Sequence, residues 1–252
     1  MKRLLLLPLL AALVLGSTAG SRTIQNLCDN GVRVDGVKLK HKRVVELEER
    51  LDDRLIIESA VGDIELHGVS GDRARLEVEI WERYRDDVEV EIDDGEIVLH
   101  SRDGEPCVIG RVYGTIPAGI DLEIETGCGD VDLVDLERGG DIDVETGLGD
   151  ITFQDVVGCR SIDAATGKGD IRLGPAEDLD DVELNTGMGG IKLREAEVEE
   201  LEVSSGFGSI QFLDCAFGYV SGSTGFGDVT FKRTSYDDSD ISTGFGRVRR
   251  GR

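Results

Sequence analysis

Carboxylates recur in this chain at an even spacing: Asp130, Asp150 and Asp170 lie 20 residues apart, and Asp228 resumes the series beyond Gly190 and Ser209. They belong to a repeated pentapeptide: Thr126-Gly-Cys-Gly-Asp130, Thr146-Gly-Leu-Gly-Asp150, Thr166-Gly-Lys-Gly-Asp170, Thr186-Gly-Met-Gly-Gly190, Ser205-Gly-Phe-Gly-Ser209, Thr224-Gly-Phe-Gly-Asp228 and Thr243-Gly-Phe-Gly-Arg247. Successive starts are 20, 20, 20, 19, 19 and 19 residues apart, and a diverged copy stands at Ser59-Ala-Val-Gly-Asp63. Carboxylates one repeat apart repel unless they accept backbone hydrogen bonds or share a cation. Asp130, Asp150 and Asp170 are therefore either turn residues that accept from the amides of their own corner, the ordinary use of Asp there, or a calcium column. The nine-residue Gly-Gly-x-Gly-x-Asp calcium repeat is only loosely similar. Calcium is the one cofactor the pattern admits.

Other chemistry is sparse. The histidines, His41, His67 and His100, all precede the repeats, and none has metal-ligand spacing to a cysteine or another histidine. Near-constant repeats of 19 or 20 residues leave no room for the insertions that build a catalytic cleft, so no catalytic residue is expected and the chain is read as a non-enzyme. Five cysteines (Cys28, Cys107, Cys128, Cys159 and Cys215) make an odd set. Cys107 and Cys128, 21 residues and thus about one repeat apart, form the candidate disulfide; Cys159 and Cys215, about three repeats apart, are beyond the roughly 7 Å Cα limit for a bridge.

The elements that hold these residues follow from period-two alternation. Ile120, Leu122 and Ile124 precede one corner and Val131 and Leu133 follow it; Ile142, Val144, Ile151 and Phe153 repeat the pattern. Each repeat is thus two short strands with one buried face, broken at Gly-x-Gly. Such strands bury their apolar faces only by stacking, each pairing in parallel with its equivalent about 4.8 Å away. The expected fold is an all-β, single-chain parallel β-solenoid with about 20 residues per coil, right-handed by the crossover rule. A four-stranded propeller blade needs about 40 residues, twice this period. Residues 118–252 are the regular coils, 37–117 a strand-rich cap or N-terminal part of the solenoid, and 20–36 a flexible lead-in.

Stacking turns repeat positions into columns. Thr126, Thr146, Thr166, Thr186, Ser205, Thr224 and Thr243 form a hydroxyl ladder, a structural use; ice-binding solenoids instead present paired threonines on a flat face. Between the glycines run Cys128, Leu148, Lys168, Met188, Phe207, Phe226 and Phe245. For Phe207, Phe226 and Phe245 the choice lies between corner packing and a strip on which sugars stack. Outward positions before the corner, Glu123, Glu125, Asp143, Glu145 and Asp163, make an acidic face that is either a solvated surface or a binding side. Those after it, from Asp132 and Thr152 to Arg172 and Lys192, are mixed.

Lys2 and Arg3, the apolar stretch Leu4 to Leu15 and small residues up to Ala19 read as a secretory leader over residues 1–19, too short to span a membrane. The expected location is the periplasm, cell surface or extracellular space. Formal charge is −24, and removing Lys2 and Arg3 makes it −26, which disfavours nucleic acid as a partner. Arg247, Arg249, Arg250 and Arg252 put charge on the last strand, where an exposed edge needs it.

Ile116-Pro-Ala-Gly-Ile120, running into Asp121-Leu-Glu-Ile-Glu-Thr-Gly-Cys-Gly-Asp-Val131, resembles the bacterial "putative adhesin" β-strand-repeat family, a domain of unknown function related to the toast-rack domains of envelope proteins. Similarity spans residues 37–252. It implies an extracytoplasmic β-solenoid with an adhesion or scaffold role toward an envelope protein or glycan. Departures at Gly190, Ser209 and Arg247 weaken any function that needs an unbroken Asp column. The alternative function is a secreted glycan-active enzyme on a β-helix scaffold.

Overall fold

The computed structural model describes residues 14–15, 22–27 and 31–251. The expected leader, Cys28 and Arg252 lie outside the described residues, Val14–Leu15 excepted. Every regular element described is a β-strand.

From Arg54 the chain winds as coils, each a strand, a corner that is Ala60-Val-Gly62 in the first and Gly-x-Gly in the others, a second strand and a return turn. Strands before the corner stack in parallel into a first sheet, from Arg54–Ser59 through Asp121–Cys128, Asp141–Leu148, Ser161–Lys168, Ala176–Met188, Ala196–Phe207 and Ala216–Phe226 to Ser235–Phe245. Strands after the corner stack likewise into a second sheet, from Ile64–Val69 through Val131–Val134, Ile151–Gln154, Ile171–Leu173, Ile191–Arg194, Ile210–Leu213 and Val229–Lys232 to Val248–Gly251. Equivalent threonines pair directly, Thr126 with Thr146 and Thr146 with Thr166, and Ser59 pairs with Thr126. The diverged pentapeptide is therefore the first coil of a β-solenoid.

Alternation sends one face of each sheet inward. Leu122, Ile142, Ile162, Val182, Leu201 and Val220 stack in the first sheet; Leu133, Phe153, Leu173, Leu193, Phe212 and Phe231 stack in the second, all buried. Backbones at the corner approach so closely that a Cβ on Gly169 would lie 1.8 Å from the Gly149 carbonyl oxygen, so only glycine fits. The hydroxyl column seals the same corner from inside. Thr166 and Thr186 donate to the carbonyls of Gly149 and Gly169, both at 2.9 Å, satisfying acceptors the core would otherwise leave dry. These threonines are buried, which removes them from any exposed ice-binding face. At the opposite turns Asp135, Asp155, Glu195, Asp214 and Arg233 take the left-handed conformation, which Asp tolerates better than most side chains.

The N-terminal part is built differently. After its first coil the chain leaves the stack and forms Arg73–Glu82, Val88–Asp93, Glu96–Ser101 and Cys107–Pro117. Cys107–Pro117 pairs in parallel with Ile64–Val69 and antiparallel with Arg73–Glu82, which in turn pairs with His41–Arg50. Antiparallel strands thus cover one end of the rod, and the chain returns at Asp121 on the other face of the first coil. Within 20–36, read from sequence as a flexible lead-in, Arg22–Leu27 and Gly31–Val34 instead pair antiparallel, and Val32 and Val34 bury beside Leu39, Ala60 and Val108. At the far end Arg250 takes the position of Phe231, lies 5.6 Å from that ring and donates through Nε to the Tyr236 hydroxyl at 2.7 Å. A guanidinium on the outermost core aromatic closes the rod with a polar group.

Candidate functional site

The first corner and the first sheet's outer face carry the residues singled out in the sequence. At the corner the aspartates form a ladder with a different hydrogen bond from the one expected. Each accepts from the next coil's amide instead of its own: Asp150 N–H donates to Asp130 Oδ1, Asp170 N–H to Asp150 Oδ1 and Gly190 N–H to Asp170 Oδ1, all at 2.8 Å. Where the column breaks, Ser209 Oγ accepts from the Asp228 amide at 3.3 Å, so a hydroxyl does the same work. Arg172 projects between two rungs and bonds Asp150 and Asp170, each at 2.8 Å. Burial pushes the Asp150 carboxyl up, but the bonds from Arg172 and from the Asp170 amide, with the Arg172 charge, outweigh it and hold it below the usual carboxylate range. Among the described residues no group of three or more His, Cys, Asp or Glu side chains is placed to hold a metal ion.

The acidic face is assembled as the repeat implies. Glu123, Asp143, Asp163, Glu183 and Glu202 follow one another in register, and Glu125 lies beside Glu145. From Asp121 to Ser204 the outward positions that precede the Gly-x-Gly corner in these strands carry no Lys or Arg. Partial burial and neighbouring carboxylates therefore act together. Asp163 is pushed up to about 6 by burial and by the charges of Glu183, Asp143, Glu145 and Asp181. Burial raises Glu125, helped by Glu145, Glu58, Glu123 and Asp143, and burial alone raises Asp143. Sequence periodicity locates this face; the strain within it depends on a 4.8 Å repeat and is relieved at its edge, where Arg160 pairs with Asp141 and Asp121.

The Phe column points outward. Phe207, Phe226 and Phe245 are 59%, 49% and 72% exposed, so they do not pack the corner. Phe207 and Phe226 stack at 4.9 Å with planes 1° apart, and Phe226 and Phe245 at 4.8 Å with planes 8° apart. Stacked rings cover each other's faces and present their edges, so Phe226 offers a sugar no open ring face, and the ladder's unstacked faces are at its two ends, on Phe207 and Phe245.

The spacing argument for Cys107 and Cys128 does not hold. The first coil, residues 54–69, stands between the strand that carries Cys107 and the coil that carries Cys128. Two steps of the stack amount to about 9.6 Å, beyond the reach of a disulfide. Cys159 and Cys215 are buried; desolvation pushes the Cys159 thiol up to about 11 and raises that of Cys215, which makes both poor nucleophiles. No signal in the sequence marks Arg172 as the residue that spans two aspartates, because its partners lie 2 and 22 positions away and meet only in the stack.

Among the described residues no helix is long and apolar enough to cross a membrane. No curated protein matches the chain. Among solved structures, a "putative adhesin" from Bacteroides fragilis superposes with a TM-score of 0.54 at 16% identity, covering 82% of this chain and 97% of that one. A "putative adhesin" from Parabacteroides distasonis aligns at a TM-score of 0.46 and 11% identity, over 82% of this chain and 97% of the other. The first likeness shows a shared fold. The family model for Toastrack DUF4097 matches residues 29–249, nearly the whole stack with its cap. The chain is therefore a member of the Toastrack DUF4097 family.

Proposed function

We propose that this protein is an exported, non-catalytic module of the cell envelope that binds or scaffolds an envelope protein or glycan through its solenoid faces, as an adhesin does. One observation carries the reading: the first sheet's outer face holds an unbroken carboxylate column, Glu123, Asp143, Asp163, Glu183 and Glu202, flanked by further carboxylates, and burial together with these neighbouring charges raises the pKa of Glu125 and Asp163. A partner with amines or guanidinium groups relieves that repulsion along several coils at once, and repeated weak contacts then sum. The leader-like residues 1–19 support export, and the adhesin name of the Bacteroides fragilis protein that shares the fold accords with a binding role.

Recovery of partners from envelope extract by the immobilised parent and by a variant with Asp143→Asn, Glu145→Gln and Asp163→Asn tests this. Retention of a partner by the parent and its loss by the variant is the expected result; equal retention removes the acidic face from the account. The glycan-active alternative has one observation in its favour, the Asp163 carboxyl near 6, the range of a general acid. Turnover of a polysaccharide that Asp163→Asn abolishes would replace the binding reading with the enzymatic one.

A further inference from the structure

The middle residue of each Gly-x-Gly corner points outward, and register aligns Leu148, Lys168, Met188, Phe207, Phe226 and Phe245 into one exposed ridge. At 4.8 Å per coil the ridge is about 24 Å long. Exposed apolar strips of this kind mark interaction surfaces. Its two ends differ in charge. Beside Leu148 stand Glu145 and Asp150; beside Phe245 stand the exposed Arg247 and, in place of the acidic column, Ser242.

We infer that the ridge docks a second copy of this chain, antiparallel, about a two-fold axis crossing the ridge between Met188 and Phe207. Because both copies share one pitch, that axis sets Phe245 on the partner's Leu148, Phe226 on the partner's Lys168 and Phe207 on the partner's Met188. A thioether against a ring edge is a favourable pair, and Lys168, which meets the edge of the doubly stacked Phe226, packs there through its aliphatic stem with the ammonium in solvent. The flanks agree. Arg247 faces the partner's Asp150, and Ser242 faces the partner's Glu145. Asp228 meets the partner's Asp170, but Arg249 bonds Asp228 at 3.0 Å and Arg172 bonds Asp170 at 2.8 Å, so each arrives already paired. A parallel dimer would set Lys168 on the partner's Lys168 and Glu145 beside the partner's Asp150. Other occupants fit less well. Ring faces are closed to sugars along the ladder, and an anionic lipid surface is repelled by the Asp150 end. The contact is isologous and one side chain wide along about 24 Å, so the dimer is weak and forms with rising concentration. This inference goes beyond the binding role above and does not depend on it.

Sedimentation equilibrium of the full chain over rising concentration tests it, with far-UV circular dichroism confirming that each variant keeps the parent fold. A monomer–dimer equilibrium is expected, weakened tenfold or more by Phe226→Ser, tightened by Ser242→Lys and weakened by Ser242→Glu. In a background with Cys28→Ser, Cys107→Ser and Cys128→Ser, oxidation crosslinks Met188→Cys to itself, half a coil from the axis, and leaves Phe245→Cys uncrosslinked. A chain monomeric throughout, a Phe226→Ser variant that dimerises like its parent, a reversed order for the Ser242 variants, or self-crosslinking of Phe245→Cys overturns the inference.

Discussion

Coils 121–173 and coils 196–251 share a backbone and differ in almost everything they show to solvent. The first group carries the carboxylate columns, the Asp rungs at the corner and Arg172 across them. The second keeps carboxylates at Glu202 and Asp240 but puts Ser204, Ser223 and Ser242 in the column that begins with Glu125 and Glu145, and stacked phenylalanines at the corner. Inside, the two are alike: a buried hydroxyl donates to the preceding corner in both, from Thr166 to Gly149 at 2.9 Å and from Thr224 to Gly208 at 2.8 Å. The difference teaches that the scaffold is specified by inward side chains and glycines alone. Outward columns are free to take up separate tasks.

That division is open to attack first where it predicts the largest loss. Phe212→Ala, which empties a fully buried position, should cost about 3–5 kcal/mol by chemical denaturation, whereas Phe245→Ala at the exposed corner, where it stacks on one ring, should cost no more than about 1.5 kcal/mol, the worth of a stacked pair. Similar losses at both sites would erase the distinction. Gly149→Ala and Gly227→Ala place a Cβ 1.9 Å from a carbonyl oxygen in the acidic and aromatic groups respectively. Both should lose several kcal/mol, and by the same amount if the backbone is common to the two regions.

Much of this was legible beforehand. Seven tagged repeats and clean alternation placed the coils, their register and the acidic face, because a stack copies one local solution many times. The cap was not legible, since residues 70–120 depart from the stack and return to it on the far side of the first coil, which no local pattern records. The same departure defeated the Cys107–Cys128 spacing. The direction of the Phe column was missed for a physical reason: at a Gly-flanked corner the alternation that marks inside and outside is interrupted.

Smaller effects sharpen the comparison. Thr166→Val and Thr224→Val each remove one buried donor and should cost about 1–2 kcal/mol in either group. Between pH 4 and 6 the acidic group should behave alone. The folded Asp163 pKa, about 6, lies above its ordinary value of 3.8, so the native state takes up the proton first; stability rises as pH falls through 6 and the gain is complete below 3.8. Asp163→Asn should raise stability at pH 7 and flatten that slope, while Asp150→Asn, whose parent carboxyl is held low, should lose stability at pH 7. Smallest of all, millimolar calcium should leave the melting temperature unmoved, because the rungs already accept amide hydrogen bonds and bind Arg172.

All of this rests on equivalent positions lying one coil apart in a continuous stack. Spin labels at Asp132 and, in turn, Gln211, Thr230 and Arg249, which are four, five and six register steps away, measure it directly. Electron–electron dipolar distances should grow by about 4.8 Å per step, from roughly 19 to 24 to 29 Å before tether lengths are added. Distances that stay constant, or that fall as the labelled coil moves along the sequence, would contradict the stack.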